Sequence, residues 1–390
     1  MTTALSPAGA ATPSSPPRLS RDGSGRVVGL DVARALAVFG MFGAHVGAVA
    51  ADIGTSPSTW LGVVNGRSSI LFAVLAGISV ALLSGRTVPV RGDDLVRARV
   101  RILVRAAWVF AIGGVLEALG TGIDVILGVY AVLFVLALPF LRWPPRRLLL
   151  AAGVLALLAP PADLLLTQFA GASDAYDAPF ISLVVTGPYP ALIWCTFILV
   201  GLAVGRSDLT STRVRVMLLA AGAGLAVAGY GGGWLTTQWF AAGRPVTWPA
   251  EDTHRPEQSD PVLLTGAFPH SGTTFEIVGS VGVALAVIAV CLVVADRLPT
   301  ILFPLAAVGS MALTAYAGGI VATWVASAPD YETNRPWLVY VLITIAAATV
   351  WRLFLGRGPL ERLVTWRSQR AAGRGVPEEP TRTSRGGDVR

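Results

Sequence analysis

Lysine is absent from the 390 residues, and charged side chains of every kind make up only 14% of the chain. A soluble domain carries roughly a quarter, so this composition excludes an ordinary water-soluble globule. Histidine is limited to three residues and cysteine to two, Cys195 and Cys291. Both cysteines lie inside apolar runs and neither belongs to a metal-type spacing. That excludes a disulfide framework, thiol redox chemistry and a zinc site, and no metal is expected. With lysine missing, all 30 basic residues are arginines, and they outnumber the 23 acids enough to raise the isoelectric point to about 10.1. Such a balance points to nucleic acid when the arginines form one patch. Here they are scattered through short loops and tails between apolar runs, so no nucleic-acid partner is expected.

What the chain has in abundance is apolar length. Hydrophobic residues make up 54% of it and the mean hydropathy is +0.65. Stretches long enough to cross a bilayer recur near residues 27–50, 68–84, 102–119, 123–141 and 148–166. Five more lie near 187–205, 216–234, 275–295, 300–326 and 336–355. The expected fold is therefore all-α, a polytopic integral membrane helical bundle of about ten transmembrane helices. Arginine placement sets its orientation, because basic loops stay cytoplasmic. Arg18, Arg21 and Arg26 precede the first stretch, Arg86 to Arg105 separate the second and third, and nine arginines run from Arg352 to Arg390. The alternate loops hold Asp52, Asp174, Asp177, Glu251, Asp252 and Glu257 with only Arg67, Arg244, Arg255 and Arg335. Both termini are thus expected in the cytoplasm. Residues 1–25 read as a disordered tail, 26–362 as one membrane domain, and 363–390 as a largely disordered second tail.

The first stretch is the most informative. It carries Asp31, Arg34 and His45 within an otherwise apolar run. Eleven residues turn an α-helix about three full circles and rise roughly 16 Å, so Arg34 and His45 share one face. Asp31, three residues before Arg34, can pair with it on that face. Ionisable groups inside a span are expensive and usually face a cavity or a partner, which makes a functional site the default reading. A snorkelling Arg34 paired with Asp31, with His45 at the outer interface, also fits these residues.

Arg34 and His45, with ten residues between them, resemble the Arg-x10-His signature of membrane-bound acyltransferases. The chain as a whole resembles the bacterial YeiB-like membrane proteins, relatives of heparan-alpha-glucosaminide N-acetyltransferase. The matching stretches include Asn65 to Phe72, Trp194 to Arg206, Pro269 to Thr273, Gly309 to Tyr316 and Gly356 to Glu361. The resemblance implies an acyltransferase, acetyl-transferring, in the bacterial cytoplasmic membrane. It implies acetyl-CoA or another acyl-CoA as co-substrate, no tightly bound cofactor, and a carbohydrate-like acceptor on the far side. Beyond the lipid bilayer, donor and acceptor no partner is specified, and a homo-oligomer is compatible with this organisation. The heparan enzyme keeps its active histidine in the first outer loop; residues 51–66 contain none, so His45 takes that part.

An imidazole, with an ordinary pKa of about 6.5, suits removal of an acceptor proton near neutral pH. Asp52, two turns beyond His45, or Glu276 would orient it. Arg34, Arg97, Arg99, Arg101 and Arg105 form the basic surface expected to hold the donor's phosphates; they also suit topological signalling and contact with anionic lipid. His270 sits just before the eighth stretch as a second base or acceptor contact. Thr273 and Glu276, three apart, read equally as a helix capping box. Trp60, Trp239 and Trp248 could stack on a sugar ring or form an interfacial belt, and Pro160-Pro161 reads as a break in the fifth stretch. A small-solute transporter is the alternative function, since broken helices and abundant glycine suit alternating access.

Overall fold

The computed structural model describes residues 27–48, 57–171, 181, 183–184, 187–241, 264–326 and 333–373. Among them the secondary structure is helical, with no β-strand. In order the helices are α1 (Val28–Val46), α2 (Arg67–Leu83), α3 (Gly92–Glu117), α4 (Leu127–Leu136), α5 (Pro145–Gly171) and α6 (Ala191–Gly205). There follow α7 (Thr212–Ala226), α8 (Gly232–Ala241), α9 (Thr274–Arg297), α10 (Phe303–Ser310), α11 (Ala312–Ala326), α12 (Arg335–Phe354) and α13 (Pro359–Ala371). Short 3-10 turns cover Pro57–Val64 and Leu138–Arg142, and a π-turn, Val227–Gly231, joins α7 to α8 without a break.

Among the described residues six helical segments are long and apolar enough to cross a membrane, or seven if α10 and α11 count as one bent span. The α4 and α6 helices are apolar but shorter. This is a multi-pass membrane protein, although its segments divide differently from the ten even stretches. One difference is at 300–326, where α10 and α11 meet at 81°. Gly309 sits so close to the Asp31 carbonyl of α1 that a methyl group there would overlap it. The bend lets the chain turn off α1 at that contact, a constraint that apolar content cannot register.

The α1 helix is central. Of its apolar window 72% is buried inside the protein, against 6% for α12. α1 packs on α2, α9, α10, α11 and α12. Beside it α2 lies along α6, with Gly201 set against the Val74 backbone where no side chain would fit. With lipid outside, helices gain nothing from hydrophobic burial against one another, and small residues that admit close backbone packing take over that task.

Two polar devices hold the bundle together. The α5 helix runs through Pro160 and Pro161 rather than breaking there. Proline has no N–H, so Pro160 leaves the carbonyl four residues earlier without its helical donor. That carbonyl, of Ala156, accepts instead from the Thr274 hydroxyl of α9 at 2.8 Å. At the other end of the bundle Arg206, buried at the end of α6, donates to the carbonyls of Ser84 (3.1 Å), Arg86 (2.7 Å) and Leu141 and to Ser84 Oγ (2.9 Å). It ties together the ends of α2, α6 and the 3-10 turn after α4, where helical carbonyls lack partners of their own.

Candidate functional site

The site is strung along α1. At its first turn Asp31 accepts from Arg34 at 2.5 Å, and Arg34 also donates to Ser79 Oγ of α2 at 3.0 Å. Asp31 is buried and Arg34 nearly so, with 18% of its side chain exposed. The pair therefore lies within the protein rather than out among headgroups. Arg34, Arg101, Arg357 and Glu361 all lie close enough to Arg105 for their charges to act on it. Arg105 further donates to Thr365 Oγ1 of α13 at 3.3 Å. Among the described residues the buried Nε atoms of Arg101 and Arg105 have no acceptor. The other two arginines expected here are more exposed. Arg97 is paired with Asp94 at 2.8 Å on an exposed surface, and Arg99 is exposed two residues further on.

Arg357 and Glu361 join this cluster although neither was singled out as a site residue. Glu361 accepts from the Thr314 backbone N–H (3.0 Å) and hydroxyl (2.6 Å), closing the first turn of α11 just past the 81° bend. The stretch Gly356-Arg357-Gly358-Pro359-Leu360-Glu361 carries a usable signal. Proline at the first position of a helix and an acid two residues on mark a helix start, and a helix starting there brings the Glu361 carboxylate back against α11.

At the far end of α1, His45 lines a small cavity with Phe42, Ile123, Tyr316, Ile320 and Tyr340. The Phe42 and Tyr340 rings meet edge to face at 5.9 Å, and Tyr340 Oη shares a hydrogen bond with Thr323 Oγ1 at 3.2 Å. The wall is fixed to α1 by the Trp337 indole, which donates to the Phe39 carbonyl at 2.9 Å, and by Asn334, whose side-chain oxygen accepts from the Ala48 N–H at 2.9 Å. His45 thus sits at the edge of an apolar chamber, a setting in which water competes little with a polar group.

His270 occupies a second cleft, with Trp194, Phe197, Pro190, Ile70 and Glu276. Its φ of +61° is unusual for a residue with a side chain, and such conformations persist only where surrounding contacts enforce them. Glu276 provides those contacts. Its carboxylate accepts from the His270 N–H (2.6 Å), the Gly272 N–H (2.6 Å) and Ser271 Oγ (3.1 Å). Thr273 Oγ1 accepts from the Glu276 N–H at 3.1 Å, which is one half of the capping box expected at the start of α9; the Glu276 carboxylate turns to His270 and Gly272 rather than to the Thr273 N–H. Glu276 is therefore committed to the 270–273 loop. The His270 ring meets Tyr189 edge to face at 5.6 Å, and Tyr189 in turn packs on Trp194 at 5.2 Å. His270 and His45 lie close enough for a charge on one to act on the other.

Nearby, Arg67 stacks on the Tyr230 ring at 4.6 Å and donates to its hydroxyl at 2.8 Å, and that hydroxyl shares a further bond with Ser280 at 2.8 Å. The π-turn sets Tyr230 there. Trp60 and Trp239, 57% and 83% exposed, line neither cleft. Asp52, Arg244 and Trp248 lie outside the described residues, as does the rest of 242–263. Among the described residues no group of His, Cys, Asp and Glu could hold a metal ion.

No curated protein and no solved structure matches this chain. Residues 26–230 match the family described as heparan-alpha-glucosaminide N-acetyltransferase, catalytic. The match begins just before α1 and ends in the π-turn, so it takes in Asp31, Arg34, His45 and the α3 arginines, while His270 and Glu276 lie beyond it. It extends over more than half of the 390 residues. With its multi-pass helical bundle and its charged central helix, the chain belongs to the heparan-alpha-glucosaminide N-acetyltransferase catalytic family.

Proposed function

We propose that this protein is a membrane-embedded acyltransferase that moves an acyl group, acetyl in the family's name, from cytoplasmic acyl-CoA to a carbohydrate-like acceptor on the opposite side. The observation that carries this reading is the α1 helix itself. Its inner end presents Asp31 and Arg34 beside an arginine cluster, and its outer end presents His45 at the edge of a chamber. The two ends are roughly 16 Å apart along the helix. In this reading ten membrane crossings leave both termini in the cytoplasm. The donor's phosphates stay among Arg34, Arg101, Arg105 and Arg357, guanidinium groups whose charge and planar shape suit a phosphate. Its thioester reaches outward along α1.

His45 then removes the proton from the acceptor's hydroxyl or amine as that atom bonds to the thioester carbonyl carbon. The carbon–sulfur bond breaks, and the imidazolium returns the proton to the departing thiolate. Atoms and charge balance without a further reactant. His270, held by Glu276 and Tyr189, contacts the acceptor from the second cleft. Arg97 and Arg99 serve at most as an outlying attraction for the donor, given their exposure.

The test is acetyl-CoA binding and transfer by protein purified in detergent. His45→Ala is expected to bind acetyl-CoA with wild-type affinity yet lose at least about a hundredfold in transfer, the range for removal of a general base. Arg34→Ala is expected to weaken binding about tenfold or more. Full transfer by His45→Ala would end the proposal. The 81° bend between α10 and α11 favours a second reading, solute transport, because broken helices commonly carry transport sites. Solute flux in proteoliposomes lacking any acyl donor would support it.

A further inference from the structure

The α13 helix has one face that the site above does not use. Val364 and Ser368 are buried, while Glu361 and Thr365 turn inward onto Thr314 and Arg105. The opposite face exposes Arg362, Trp366 and Arg370, with Arg367 beside them. Residues four apart stand one above another on a helix, so Arg362, Trp366 and Arg370 form a single stripe. The helix's one acid, Glu361, is spent on α11, which leaves the exposed face positive throughout.

Aromatic rings fix the level at which this stripe sits. The Arg367 guanidinium lies over Trp366 at 4.8 Å and over Trp108 of α3 at 5.3 Å, and Arg370 lies over Trp366 at 5.4 Å. Trp108 belongs to the apolar half of α3, one turn beyond the buried Arg105. Arg362 donates to the Leu355 carbonyl at 2.5 Å, which sets the stripe beside the exposed Leu353, Phe354 and Leu355 at the end of α12. Cationic groups thus stand next to bare apolar surface, with a half-exposed tryptophan between. That pairing suits an amphiphile with an anionic head and hydrocarbon tails; a soluble anion would use only the first part. Helices with arginine and tryptophan so arranged lie in the membrane interface.

We propose that α13 lies along the inner membrane surface and that Arg362, Arg367 and Arg370 bind the phosphate groups of anionic phospholipids, whose acyl chains cover the end of α12. This stands independently of acyl transfer. It has one structural consequence, because the helix that holds the lipid also holds Thr314 and Arg105 through Glu361 and Thr365. Lipid bound on the exposed face therefore steadies the bend between α10 and α11.

The test uses the full chain in a neutral detergent, titrated with phosphatidylglycerol or phosphatidylcholine, with bound lipid counted by native mass spectrometry and the thermal midpoint recorded. Wild type is expected to retain phosphatidylglycerol in preference and to gain thermal stability from it. Each arginine near an anionic lipid surface is worth about fivefold, so Arg367→Gln/Arg370→Gln should lose roughly 25-fold of that preference and the thermal gain with it. Arg367→Lys/Arg370→Lys, which keeps the charge, should retain most of both, and this separates lipid binding from a folding defect. Equal retention of the two lipids by wild type would overturn the proposal. So would an unchanged preference in the glutamine variant, or displacement of the lipid by inorganic phosphate alone.

Discussion

Arg206 shows what a single charge can do without an acidic partner. Its guanidinium is closed in by the carbonyls of Ser84, Arg86 and Leu141, and burial draws its pKa down to about 10, which still leaves it charged at neutral pH. Removing the donor would take a bond from each of these acceptors, although the Ser84 carbonyl keeps the Val90 N–H at 3.1 Å, and a hydrogen bond to a charged group is worth about 1.5–3 kcal/mol. Arg206→Met is therefore expected to lose at least about 3 kcal/mol, read as a lowered thermal midpoint in detergent, and Arg206→Lys should recover only part because lysine lacks the planar fork. Glu276 gives a second expectation. Glu276→Ala frees the N–H groups of His270 and Gly272 and should relax the +61° backbone at His270. Weakened acceptor affinity with unchanged acetyl-CoA binding is the expected outcome, and loss of both would point to general misfolding. At this scale the sequence was readable where partners are close along the chain. The Asp31–Arg34 pair and the Thr273 cap follow from spacings of three. The partners of Arg206, and the Thr365 that Arg105 reaches, come from far along the chain and left no local pattern.

Among the helices, the places where a regular pattern misled are those where another helix compensates. Pro160 and Pro161 do not end α5, because Thr274 of α9 supplies the donor that proline removes. Thr274→Val should therefore cost about 1–3 kcal/mol, and a Pro160→Ala background, which restores the helical N–H, should cancel most of the loss. Such a cycle reads coupling directly. The stretch 300–326 is long enough for one span, yet it divides at Met311 because Gly309 must pass close to Asp31. Gly309→Ala should displace α10 from α1, lowering donor affinity as well as the thermal midpoint. Gly201→Ala, equally crowded but on the α2–α6 seam, should lower the midpoint with less effect on the donor.

Taken whole, the molecule has two chemically different ends joined by one buried helix. Impermeant thiol labelling tests the orientation in intact cells, and the two native cysteines, both buried, give it a quiet background. Ser271→Cys is expected to react from outside, whereas Arg370→Cys should react only after the membrane is opened; the reverse pattern would invert the whole ladder. The order of synthesis adds a consequence of the Glu361–Thr314 contact. A chain is made and inserted from its N-terminus, at about 5–20 residues per second. The arginine-bearing end of the site therefore waits, with the first turn of α11 uncapped, until Glu361 has left the ribosome and α13 has folded back. A nascent chain can complete its histidine-bearing end while its arginine-bearing end is still unfinished.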